Sequence, residues 1–123
     1  MPLRCLLVDD NASFLEIARL TLERDGLLIV GSATTGEEAL CLVETLAPDL
    51  ALVDVDLGQE NGLDLVEPLL RAGDGLRVIM MSSYDESDFR ELIASSPAVG
   101  FLPKTSLSAR AIEQLLDSAE SID

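Results

Sequence analysis

The chain has 123 residues, 48% of them hydrophobic, which suits one domain (residues 1–123) with a sizeable core and excludes a disordered segment. Its net charge of −15, with seven arginines and one lysine scattered along the sequence, argues against nucleic-acid or anionic-membrane binding. Histidine is absent, which excludes histidine-based zinc sites, Ser-His-Asp triads and a phosphohistidine carried by this chain.

Apolar runs of strand length alternate with helical patterns five times. Leu3 to Val8 reads as strand one; Asn11 or Ser13 caps the next helix, and Ser13 with Glu16 fits a capping box. That helix carries Phe14, Leu15, Ile17, Ala18 and Leu22 on its apolar side, and Asp25-Gly26 stops it. Leu27 to Val30 is strand two, Gly36 to Leu46 helix two, and Pro48 blocks continuation before strand three, Leu50 to Val53. A loop from Asp56 to Gly62 leads into helix three through Leu63, Val66, Leu69 and Leu70. There Pro68 removes a backbone donor and predicts a kink or a distorted first turn. Arg77 to Met81 is strand four, residues 85–94 helix four, Val99 to Leu102 strand five, and Leu107 to Ala119 helix five.

Strands this continuously apolar are buried on both faces, which implies a parallel sheet covered by helices. Right-handed crossovers then give an α/β, three-layer doubly wound (βα)5 sandwich of flavodoxin-like strand order 2-1-3-4-5. Cys5 and Cys41 read as buried free thiols of a reducing compartment. No apolar stretch approaches the roughly 18–20 residues of a membrane span, and Met1-Pro2-Leu3-Arg4 starts no signal peptide. The expected location is cytoplasmic.

The chemistry gathers at strand ends. Asp9-Asp10 follows strand one, Asp54 follows strand three, Ser82 follows strand four, and the only lysine, Lys104, follows strand five. In an open parallel sheet these ends share one edge, the edge where such folds build their sites. Three carboxylates within about 6 Å repel by roughly 3 kcal/mol per pair at an effective dielectric near 20, so they need a cation among them. Lys104 offsets one charge. Only oxygen ligands are on offer, which favours a hard ion, Mg²⁺, with Mn²⁺ a substitute.

The chain resembles, over nearly its whole length, the receiver domain of two-component response regulators. Carrying the resemblance are Leu6-Leu7-Val8-Asp9-Asp10, Leu52-Val53-Asp54 with Gly62 eight positions on, Val78-Ile79-Met80-Met81-Ser82-Ser83, and Gly100-Phe101-Leu102-Pro103-Lys104. The Lys104-Thr105-Ser106-Leu107 ending is most similar to receivers that precede a helix-turn-helix DNA-binding domain.

The resemblance implies Mg²⁺-dependent phosphoryl transfer from a sensor histidine kinase to Asp54. Asp10 would ligate the metal directly and Asp9 largely through water, with Asp54 and the backbone carbonyl of Asp56 completing the protein ligands. Ser82, with Ser83 beside it, and Lys104 would hold phosphoryl oxygens, and Asp56 and Tyr84 would tune dephosphorylation. Ser82 and Phe101 would form the switch, acting through packing alone because Phe101 has no hydroxyl. The surface of helix four, strand five and helix five, with Phe89, Leu92 and Ile93, would serve homodimerisation or partner binding. The implied role is regulatory, with only self-directed phosphoryl transfer and autodephosphorylation. No nucleic acid or membrane is expected to bind this domain; control of transcription would need a further domain.

Two features depart from the family pattern: Thr105 follows the lysine where proline is usual, and Pro103 precedes it. Three rival readings remain. Asp54-Val55-Asp56 is a D-x-D of the kind used by haloacid-dehalogenase-like phosphatases, though there it opens the fold. A flavodoxin-like cofactor binder shares the topology, but Asp9-Asp10 would repel a flavin phosphate. A phosphorylation-independent scaffold would not need the acid–lysine set.

Overall fold

The computed structural model describes residues 3–83 and 95–120. Tyr84 and the expected fourth helix (85–94), with Phe89, Leu92 and Ile93, lie outside the described residues. Five parallel strands form the sheet: β1 (Arg4–Val8), β2 (Leu28–Ala33), β3 (Leu50–Asp54), β6 (Arg77–Ser82) and β7 (Gly100–Pro103), in the order β2-β1-β3-β6-β7. A short antiparallel hairpin, β4 (Asp56–Leu57) and β5 (Glu60–Asn61), stands apart from it. Counting only the strands of the main sheet, this is the expected 2-1-3-4-5 order.

The sheet is buried on both faces, as its composition requires. Alternate strand residues feed two cores. On one face Leu6, Val8, Ala51, Val53, Val78 and Met80 meet helices α2 (Gly36–Leu46) and α3 (Val66–Ala72). On the other, Leu7, Leu50, Leu52, Ile79 and Met81 meet α1 (Ala12–Arg24) and the C-terminal helix (Ala109–Glu120).

Helix boundaries follow their caps. Asn11, not Ser13, is the N-cap of α1, its side chain accepting from the Phe14 N–H at 3.1 Å. Glu16, free of the expected capping box, pairs with Arg19 at 2.7 Å instead. Thr35 caps α2 by accepting from the Glu38 N–H at 3.1 Å, and Glu38 accepts from the Thr34 N–H at 2.7 Å. Ala47 then takes a left-handed conformation (φ 49°) and Pro48 follows, ending the helix.

Pro68 acts as its chemistry predicts. The segment begins as a 3-10 turn (Gly62–Leu65) and becomes α-helical only at Val66. Pro68 therefore falls in the first turn of α3, where its missing N–H has no intrahelical partner to lose.

Three expectations need correction. Ile17 is 62% exposed, since the buried stripe of α1 is Leu15, Ala18 and Leu22. Cys41 is exposed, while Cys5 is buried in β1; both are free thiols. The last helix starts at Ala109 rather than Leu107, because Lys104–Ser106 forms a 3-10 turn first. Among the described residues no helix is long and apolar enough to cross a membrane.

Candidate functional site

Strand register builds the site. Val8, Val53, Met80 and Phe101 lie in one row across β1, β3, β6 and β7, and Asp54, Met81 and Leu102 in the next. Asp9 follows Val8, so it reaches the row of Asp54. Ser82 pairs with Pro103 one residue further on, and Lys104 comes immediately after. Four segments distant in sequence thus end within one or two residues of a common line.

Asp9 is fully buried. Its N–H extends the ladder to Ala33 at 3.0 Å, and its Oδ1 accepts from the Asn11 N–H at 2.8 Å. Asp54 is only 4% exposed; its Oδ1 accepts from the Asp56 N–H at 3.1 Å and its Oδ2 from Lys104 Nζ at 3.0 Å. Lys104 Nζ also lies 2.5 Å from Asp9 Oδ2. The two buried carboxylates thus share one ammonium. Asp10 is exposed, yet carboxylate oxygens of Asp9, Asp10 and Asp54 all lie within 4.8 Å of one another.

These contacts set the protonation equilibria. Burial raises the Asp54 carboxyl from 3.8 to about 6; hydrogen bonds from Lys104 and Asp56 pull the other way, and the nearby Asp9 charge adds to the rise. Burial also works against the Lys104 ammonium, but the paired carboxylates of Asp9 and Asp54 outweigh it and hold its pKa above 10.5. One ammonium among three carboxylates leaves negative charge in excess.

That excess and the all-oxygen donor set together fit a hard divalent cation. At 4.8 Å two carboxylates repel by roughly 3 kcal/mol at an effective dielectric near 20, a cost that a bound cation removes.

The remaining sequence-identified residues fall as follows. Ser82 is buried at the end of β6, and Ser83 is exposed just beyond it. Phe101 is buried in β7 and belongs to the core on the α2/α3 face. The Asp56 side chain is exposed, its Oδ1 accepting from the Gly58 N–H at 3.2 Å.

Three neighbours escaped the sequence reading in their roles here. The Phe14 ring sits over Lys104 Nζ at 4.4 Å from its centroid. Gly58, at φ +75°, lies so near Asp10 that a Cβ there would come 3.1 Å from Asp10 Oδ2. Both carboxylate oxygens of Glu60 accept from the Gly36 N–H, at 3.2 and 3.1 Å, and so tie the hairpin to the start of α2. Only Gly58 left a local signal, in the turn-forming Gly58-Gln59 pair; the other two contacts join separate segments.

The response regulator receiver domain family matches residues 5–117, and the chain belongs to it. It is thus a receiver of two-component signalling, a regulatory class of domain. Response regulator GacA of Pseudomonas viridiflava is 33% identical over 103 residues, covering 83% of this chain and 48% of that protein. Response regulator MprA of Mycolicibacterium vanbaalenii is 33% identical over 116 residues, covering 94% and 48%. The chain therefore spans about half the length of these relatives. The signal receiver domain of the response regulator NarL from Mycobacterium tuberculosis superposes with a TM-score of 0.81 at 27% identity, covering 98% of each chain.

Proposed function

We propose that this receiver accepts a phosphoryl group on Asp54 from a sensor histidine kinase or a small acyl phosphate. The observation that carries the reading is the Lys104 ammonium set between Asp54 and Asp9, beside Asp10, at the carboxyl edge of the sheet. A metal held by Asp10 and Asp54, with Asp9 through water and the Asp56 carbonyl, would supply positive charge to the phosphoryl oxygens.

The chain's own residues do the rest. An Asp54 oxygen attacks phosphorus in line, forming an O–P bond as the bond from phosphorus to the donor's nitrogen or oxygen breaks. The leaving group departs with that electron pair. Lys104, already 3.0 Å from Asp54, pairs with an equatorial phosphoryl oxygen, and the Ser82 hydroxyl, seconded by Ser83, donates to another. The Asp56 N–H holds the second Asp54 oxygen and so fixes the direction of attack. Hydrolysis of the acyl phosphate resets the domain, with Asp56 and Tyr84 tuning water's approach.

Output follows from the added charge and acceptors on Asp54. Ser82 moves toward the phosphoryl group and Phe101 repacks, shifting the population of a surface that includes β7 and the C-terminal helix. That surface serves dimerisation or an effector, and a DNA-binding effector would make the output transcriptional.

The test is labelling with a radioactive acyl phosphate. Wild type takes up acid-stable, base-labile label in Mg²⁺ or Mn²⁺, EDTA suppresses it, and Asp54→Asn abolishes it. Full labelling of Asp54→Asn at another residue, or labelling indifferent to EDTA, refutes the reading.

A further inference from the structure

The geometry points to Phe14 as the residue that positions Lys104, through a cation–π contact that holds the ammonium over the carboxylates. This rests on the phosphoacceptor reading above and names a component of that site.

Lys104 reaches the carboxylate cluster from a 3-10 turn (Lys104–Ser106), on a flexible stem of four methylenes. Two carboxylates attract its head, but attraction alone does not choose among the rotamers that bring Nζ near them. The third contact is the Phe14 ring, 4.4 Å from Nζ to its centroid and well inside the range where a ring face attracts a cation. The Lys104 side chain is only 12% exposed, so water competes weakly for the ammonium and the contact counts for more than on an open surface.

Phe14 is itself held firmly. It is the third residue of α1, its N–H bound by the Asn11 cap at 3.1 Å, and its ring is partly buried against the core under α1. Asn11 in turn donates its own N–H to Asp9 Oδ1 at 2.8 Å. One short segment after β1 therefore fixes the acid, the cap and the ring together. Phe14 touches no reacting atom; it acts by keeping Lys104 where the transferred group will need it.

Lys104 is the only lysine, so its ε-methylene group gives a single NMR signal from lysine-labelled protein. In wild type the ring current shifts that signal upfield. Phe14→Tyr should keep the shift and the rate of Asp54 labelling by acetyl phosphate. Phe14→Leu, which retains apolar bulk without a π face, should lose the shift and slow labelling about tenfold, the weight of a part-desolvated cation–π contact. A Phe14→Leu protein that labels at the wild-type rate overturns the inference, because packing alone would then suffice. So does a wild-type signal at the ordinary lysine position. If wild type takes no label on Asp54, the function proposed above falls, while the NMR arm still decides whether Phe14 holds Lys104.

Discussion

Gly62 offers the most direct way to disturb the site without touching its charges. A Cβ at this position would lie 1.9 Å from the Asp54 carbonyl oxygen, 2.9 Å from its carbonyl carbon and 3.2 Å from Val55 Cα. All three are backbone atoms, so no side chain can swing away. The oxygen separation must open from 1.9 Å to at least 3.0 Å, which means main chain moves by about an ångström at Asp54, the last residue of β3. The Gly62 N–H to Val55 O hydrogen bond, now 2.7 Å, is the first casualty. Overpacking and an unmade buried hydrogen bond together predict a loss of about 3 kcal/mol in Gly62→Ala, read by urea denaturation. An ångström of misplacement also predicts about a hundredfold slower labelling of Asp54 in the fraction that remains folded. Gly75→Ala is the control: it is strained by its φ of +76°, yet a Cβ there meets nothing within 4 Å, so it should cost about 1–2 kcal/mol and leave labelling unchanged. A Gly62→Ala protein with wild-type stability and labelling would refute the reasoning.

Other substitutions test separate links. Because the folded Asp54 carboxyl titrates near 6 and the unfolded one near 3.8, its contribution to stability is full below about pH 4 and is lost as pH rises through 6. Asp54→Asn should therefore stabilise the cation-free protein at pH 7 by about 3 kcal/mol, with the gain vanishing near pH 4; equal stability at both pH values would contradict it. Burial pushes the Cys5 thiol up to about 12, so a thiol reagent should modify Cys41 alone in native protein and both cysteines in denaturant. Two fast equivalents under native conditions would show that β1 is not sealed. Glu60→Ala should destabilise the fold by about 1 kcal/mol through loss of its contact at the start of α2, and Glu60→Gln by less; identical melting curves would remove that tether.

The sheet was readable from the sequence because burial on both faces leaves uninterrupted runs such as Leu50-Ala51-Leu52-Val53, every residue of which is buried. Helices were legible in extent but less so in orientation. Ile17 and Cys41 sit two positions from the buried Leu15 and Ala39, about 200° around the helix, so they point outward despite apolar character. The strands β4 and β5 gave no signal beyond the turn between them, since two residues per strand are too few for an alternation to show. Convergence of Asp9, Asp10, Asp54 and Lys104 followed from topology alone, because each sits at a strand end. Phe14 over Lys104 and Glu60 against Gly36 did not, as both depend on loop and side-chain geometry that no local pattern encodes.

The strand order also has a consequence for biosynthesis. Translation delivers both acidic segments long before the residue that neutralises them, because β7 follows β1 and β3 in the chain and lies at one edge of the sheet. A nascent receiver therefore emerges with its aspartates uncompensated, and its pocket acquires a balancing charge only when the final crossover docks.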